Sequence, residues 1–149
     1  MSPRGERGQG GIEVVPFGLL VFVAGTLLLA NVWGVVDAKT TVAAAAREAT
    51  RSYVEAPTAG SAELAATDAA RETTQAAGRE LGRLLVRRVD SEAFARCARV
   101  TFEARYRVPA LRVPWLGAFG EAFTVASRHS ELVDPLRSGL PGKATCGRS

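Results

Sequence analysis

The chain has 149 residues, a formal net charge of +4, 47% hydrophobic and 23% charged residues, and two cysteines. That length holds one small domain, and its arginines are interleaved with Glu80, Asp90, Glu92 and Glu103. This argues against a nucleic-acid partner, which would want basic charge gathered on one face with aromatics between. Cys97, Cys146 and the single histidine, His129, are one ligand short of a closed zinc site, so neither a metal nor another cofactor is expected.

The charges are unevenly spread. Residues 1–13 form a Gly- and Arg-rich leader-like segment, and then Val14 to Val36 contains no charged residue at all. A helix over these residues is about 35 Å long at 1.5 Å per residue, enough for the hydrocarbon core of a bilayer. A buried core helix would need more apolar surface around it than the rest of the chain supplies. A cleaved secretory signal would have a shorter apolar stretch, about 7–15 residues. The segment 14–36 therefore reads as a transmembrane helix, with Pro16 near its start, where a missing amide is tolerated.

Residues 37–56 continue that helix into water. Ala38 to Ala56 is rich in alanine, the best helix former, and lacks Gly and Pro. Val42, Ala46, Ala49 and Tyr53 keep an apolar stripe at helical spacing, and Arg51 can pair with Glu55 four residues on. Pro57-Thr58-Ala59-Gly60 ends it. Ser61 suits an N-cap, and the pattern predicts a second helix from Ala62 to about Val86, with Ala66, Ala70, Ala77, Leu81 and Leu84 as its apolar stripe. Gly78 and Gly82 weaken its second half.

Ala98 to Val108 alternates strictly: Val100, Phe102, Ala104, Tyr106 and Val108 against Thr101, Glu103, Arg105 and Arg107. Such period-two alternation predicts a strand with one buried face. Pro109, Pro114, Gly117 and Gly120 mark a loop whose Trp115 and Phe119 are expected to fold back on the core. Glu121 to Arg128 predicts a returning strand with Phe123 and Val125 inward. The tail, with Pro135, Gly139, Pro141 and Gly142, reads as irregular. The fold class is thus α+β: a long N-terminal helix and a second helix on a small antiparallel sheet, with residues 57–149 as the domain outside the membrane.

Arg4 and Arg7 flank one side of the span and Lys39, Arg47 and Arg51 the other, so the basic-residue count alone does not orient it. The cysteine pair favours an oxidising side for the domain, with the N-terminus cytoplasmic. Bridged, Cys97 and Cys146 would close a loop of about 50 residues and add about 4 kcal/mol in the chain-entropy model. Two free thiols are the alternative. His129 stands among Ser127, Ser130 and Glu131, but neighbours on a strand point to opposite faces, so Ser130 and His129 do not form a catalytic pair. With no phosphate loop, paired-carboxylate site or metal signature, enzymatic activity is not expected.

The informative motif is Gly8-Gln9-Gly10-Gly11-Ile12-Glu13, directly before the apolar run. A carboxylate at the edge of a span is a functional candidate, because it is costly to draw inward. Its plain alternative is a headgroup-level residue favoured by the helix dipole. Together with Arg7-Gly8, Val14-Val15-Pro16-Phe17, the stretch Ala98 to Pro109, Ala126 to Ser130 and Val133-Asp134-Pro135, this motif resembles the TadE-like proteins. These are pilin-like components of tight-adherence pilus systems in the type IV pilin superfamily. The resemblance implies cleavage by a prepilin-type peptidase between Gly8 and Gln9. It also implies that Glu13 is the charge that neutralises a neighbouring subunit's new amine in an assembly. The implied partners are the lipid bilayer, other pilin-like subunits, the assembly platform and the peptidase. A single-pass anchored binding module, unrelated to pili, shares the span and the sheet but needs neither Glu13 nor the cut.

Overall fold

The computed structural model describes residues 10–113, 115–120 and 122–147. One helix, α1, runs unbroken from Gly10 to Glu55, 46 residues. It starts upstream of Pro16, so that proline lies within the helix and not in its first turn. Pro16 has no N–H for the carbonyl four residues back, a local gap that the rest of the ladder tolerates. The apolar and alanine-rich halves join with no turn between them, as the absence of Gly-Pro punctuation around Asp37 predicts.

α2 spans Ala59–Ala76. Its N-cap is Thr58, not Ser61: Thr58 is extended, and its hydroxyl accepts from the Ser61 N–H at 3.3 Å. The helix also ends ten residues before the predicted Val86. Gly78 takes φ +69°, a left-handed conformation that suits glycine. The Gly78 N–H then donates to Gln75 O and the Arg79 N–H to Thr74 O, the paired bonds of a Schellman C-cap. Past a 3-10 turn at Leu81–Arg83, the residues read as the end of the helix instead form strand β1, Leu84–Arg88. Pairing with the strong neighbouring strand decides this, since Leu84-Leu85-Val86 fits either period.

β2, Arg99–Val108, is the central strand of a three-stranded antiparallel sheet. β1 lies on one side, with Val86 opposite Ala104. On the other side Phe102 stands opposite His129 on the last strand, Phe123–Leu132. Between β2 and that strand, Leu111–Val113 (β3) and Gly117–Phe119 (β4) form a separate hairpin, so the last strand is β5. Trp115 and Phe119 do not fold back on the core: Trp115 is fully exposed and Phe119 is 48% exposed. β5 runs Phe123–Leu132, and Glu121, the expected start, lies outside the described residues; Phe123, at the strand's end, is exposed, while Val125 packs against the core.

The core is a thin layer between helices and sheet. Ala38, Val42, Ala45, Ala46, Ala49 and Tyr53 of α1 pack with Ala62, Ala66 and Ala70 of α2 in one core with Val100, Phe102, Ala104 and Tyr106, α1 lying on β2 and β5 and α2 beside β1. Tyr53 sits edge-on to Phe94, centroids 5.4 Å apart, and is tilted against Phe102 at the same distance. Small helix residues let the two helices approach closely, and the larger β2 side chains fill the sheet side.

Candidate functional site: the apolar helix and its junction with the domain

The first half of α1 is apolar on every side. Mean hydropathy over its best window is 2.2 and none of that window is buried in the protein. Val14, Val15, Phe17, Leu19 and Leu20 stand exposed around its circumference. α1 is long and apolar enough to cross a membrane. Its few polar side chains are turned back on the helix: Thr26 donates to Phe22 O at 2.8 Å and Asn31 to Leu27 O at 2.7 Å. Such bonds lower the cost of placing a hydroxyl or amide donor in apolar surroundings, where it would otherwise lack a partner.

At the junction the helix changes character within one turn. Asp37 is exposed and Ala38 is fully buried. Arg79, placed there by the Gly78 C-cap, donates to the Asp37 carboxylate and to Gly34 O at 3.1 Å. Its guanidinium also lies over the Tyr106 ring, 5.4 Å from the centroid. On the opposite side Lys39 donates to Ala126 O of β5. The domain is thereby gripped, at the end nearest the apolar half of α1, from both α2 and the sheet. Sequence reasoning missed Arg79. Its one signal was its position directly after Gly78, where a cap leaves the next side chain beside the neighbouring helix.

The outer face of the sheet carries a charge cluster. Glu103 is 3% exposed, its carboxylate covered by Arg105, Arg87 and Arg128 at 2.8, 2.8 and 2.9 Å. The Arg105 hydrogen bond, then those of Arg87 and Arg128, hold its carboxyl down at about 2, against the opposing effect of burial. At the far end Arg88 donates to the Tyr53 hydroxyl at 2.6 Å and pairs with Asp90, which also accepts from the Thr101 N–H. Burial pushes the Tyr53 phenol above its ordinary value. These are closed networks in which each charge has a protein partner, and they hold strands and helix together.

Gly8 and Gln9 lie outside the described residues. Glu13 falls in the first turns of α1, and its side chain lies outside the described residues as well. Cys97 and Cys146 are joined by a disulfide, Cα–Cα 5.3 Å. His129 pairs with Glu131 at 3.1 Å, whereas Ser130 bonds Thr101 across the strands at 2.8 Å. The two are not brought together. Among the described residues no group of three His, Cys, Asp or Glu side chains could hold a metal ion.

No protein-family model, curated protein or solved structure matches the chain.

Proposed function

We propose that the protein is a pilin-like, TadE-like component of a pilus-assembly or secretion system, acting as a minor pilin or assembly factor. In this reading it has no catalytic role. One observation carries the proposal: a single unbroken helix has one half apolar on every side and the other half as the spine of an α+β domain. A subunit built this way can sit in the bilayer by its first half and later pack that same half against other subunits. The bilayer and a bundle of like helices are alternative apolar surroundings for one surface. The motif around Gly8 and Glu13 supplies the chemistry such a step needs. Cleavage after Gly8 on the cytoplasmic side creates an amine at Gln9, and Glu13 of a neighbouring copy offsets it, since buried opposite charges are tolerable as a pair. The disulfide supports an oxidising, extracytoplasmic location for the domain.

The decisive measurement is the N-terminal residue of protein extracted from membranes, expected to be Gln9. Gly8→Val is expected to leave residues 1–8 attached, because a branched side chain crowds the peptide the peptidase must approach. Glu13→Ala is expected to insert normally and to fail in co-assembly with other subunits. Unimpaired assembly of Glu13→Ala would favour the anchored binding module instead.

A further inference from the structure

The β3–β4 hairpin is set apart from the main sheet and hangs beside the membrane-spanning half of α1. Its strands pair Leu111 with Phe119 and Val113 with Gly117. Trp115, in the turn, is fully exposed at φ +67°, Leu116 is 72% exposed and Phe119 48%. Two large apolar side chains in the turn, one on a strained backbone, with a third in the same short hairpin, are unusual on a surface bathed by water. Between this hairpin and the helix runs a groove of about 690 Å³, with Leu27, Ala30 and Asn31 on one wall, Val113 and Trp115 on the other, and Arg83 beside them.

The level of that groove along α1 is the deciding feature. Leu27 to Asn31 lie five to nine residues before Val36, the last residue of the charge-free run, which is about 8–14 Å along the axis. Were the hairpin wholly in water, the bilayer would have to end below Leu27. The span would then be Val14 to Thr26, about 20 Å, against a hydrocarbon core of about 30 Å. Val32, Trp33 and Val36, all at least half exposed, would also stand in water. If instead about 20 residues from Val14 are in hydrocarbon, the boundary falls near Trp33, and the groove lies about 3–9 Å inside it. Elements that lie in a membrane surface bury about 5–10 Å into the headgroup–acyl boundary. Depth is limited from the other side too, because an open two-stranded hairpin carries unpaired backbone groups that only headgroups and water can satisfy. Trp33 and Trp115, the chain's two tryptophans, then fall at the same interfacial level, where that residue is enriched. Arg83, about one-third exposed and paired with Glu80 at 2.7 Å, can keep its charge at headgroup level while its stem lines the groove.

We infer that the β3–β4 hairpin is a second, interfacial membrane anchor: Trp115 and Leu116 enter the leaflet on the domain's side, and an acyl chain of a leaflet phospholipid fills the groove against α1. The inference rests on α1 spanning the membrane, and the experiment separates the two. The full chain is reconstituted in nanodiscs of phosphatidylcholine carrying bromine near the glycerol end of the acyl chains, or in unbrominated ones. Trp33→Phe leaves Trp115 as the only tryptophan, and Trp115→Phe leaves Trp33, each excited selectively over Tyr53 and Tyr106 at the red edge of indole absorption. Both reporters are expected to be quenched by the brominated lipid to a similar extent, and both to be protected from acrylamide in the aqueous phase. Quenching of Trp33 alone, with Trp115 open to acrylamide, overturns the inference and leaves the span standing. Protection of Trp115 from acrylamide without quenching by bromine means that a second copy covers it, and also overturns the inference. Quenching of neither overturns the span and the hairpin anchor together.

Discussion

Removing the disulfide tests how the irregular tail is held. Cys97 and Cys146 are 49 residues apart, and closing a loop of that length is worth about 4 kcal/mol through the entropy of the unfolded chain. The folded tail has other ties. Arg96 N–H donates to Pro141 O at 2.8 Å and Arg96 Nε to Leu140 O at 2.9 Å, while Val133 is fully buried and exchanges two backbone bonds with the Cys97–Ala98 segment. Arg137 donates to the carbonyls of Val54, Glu55 and Ala56, groups that the end of α1 leaves without helical partners. The double variant Cys97→Ala/Cys146→Ala should therefore keep the tail docked and lose stability through its unfolded state, by about 3–4 kcal/mol. Urea unfolding of the detergent-solubilised full chain reads this as a midpoint lower by about 2–4 M, at about 1–2 kcal/mol per M. Cys97 also sits at φ +63°, which disfavours alanine and suits glycine. Cys97→Gly/Cys146→Ala should thus recover about 1 kcal/mol relative to the alanine pair. A loss below 1 kcal/mol, or two thiols open to alkylation in unreduced native protein, would refute the reasoning.

Two further outcomes follow from the packing and the charges. Glu103 has its folded-state pKa lowered from 4.5 to about 2, so its contribution is complete above about pH 4.5 and is lost as pH falls towards 2. Urea midpoints measured from pH 5 to pH 2 should fall along that window in the parent, and less steeply in Glu103→Gln; equal slopes would mean the arginine cluster does not hold this carboxylate. Ala66 is fully buried in the α1–α2 seam, so Ala66→Leu should overpack it and cost about 1–3 kcal/mol in the same assay, whereas exposed Leu64→Ala should stay within about 0.5 kcal/mol.

The elements whose signal is one-dimensional were legible in the sequence. α1 announces itself by a charge-free run followed by alanine without a breaker, and β2 by five inward residues in strict alternation that are all buried in the structure. What was illegible depends on pairing. Leu84-Leu85-Val86 continues a helical stripe as well as it makes a strand, and only the proximity of β2 decides between them. Glu103 reads as one polar residue on a wet face, yet Arg87 and Arg128 reach it from two different strands, a convergence that the sequence separates by 41 positions. Trp115 and Phe119 read as inward by the rule that large apolar side chains leave water for the core. That rule weighs the core against water alone, and under the anchor inferred above the leaflet beside α1 is a third surrounding.

The domain's own construction follows a related logic. Among the described residues ten of the eighteen in the buried core are alanine, and a methyl group removes little apolar surface from water. A core so thin gains little from burial, and the fold adds ties at both ends of the alanine-rich half of the helix. Arg79 and Lys39 grip it where it leaves the apolar segment, and Arg88 and Arg137 grip it near its last turn. Larger core residues would have spared those clamps but thickened the layer between α1, α2 and the sheet. With alanine the domain stays close against the helix, and its height above the apolar segment is fixed by backbone and by charge. The clamp at Asp37 and Gly34 lies on the same helix a few residues beyond the groove wall at Leu27 to Asn31, so the contacts that seat the domain also set where the hairpin stands along α1.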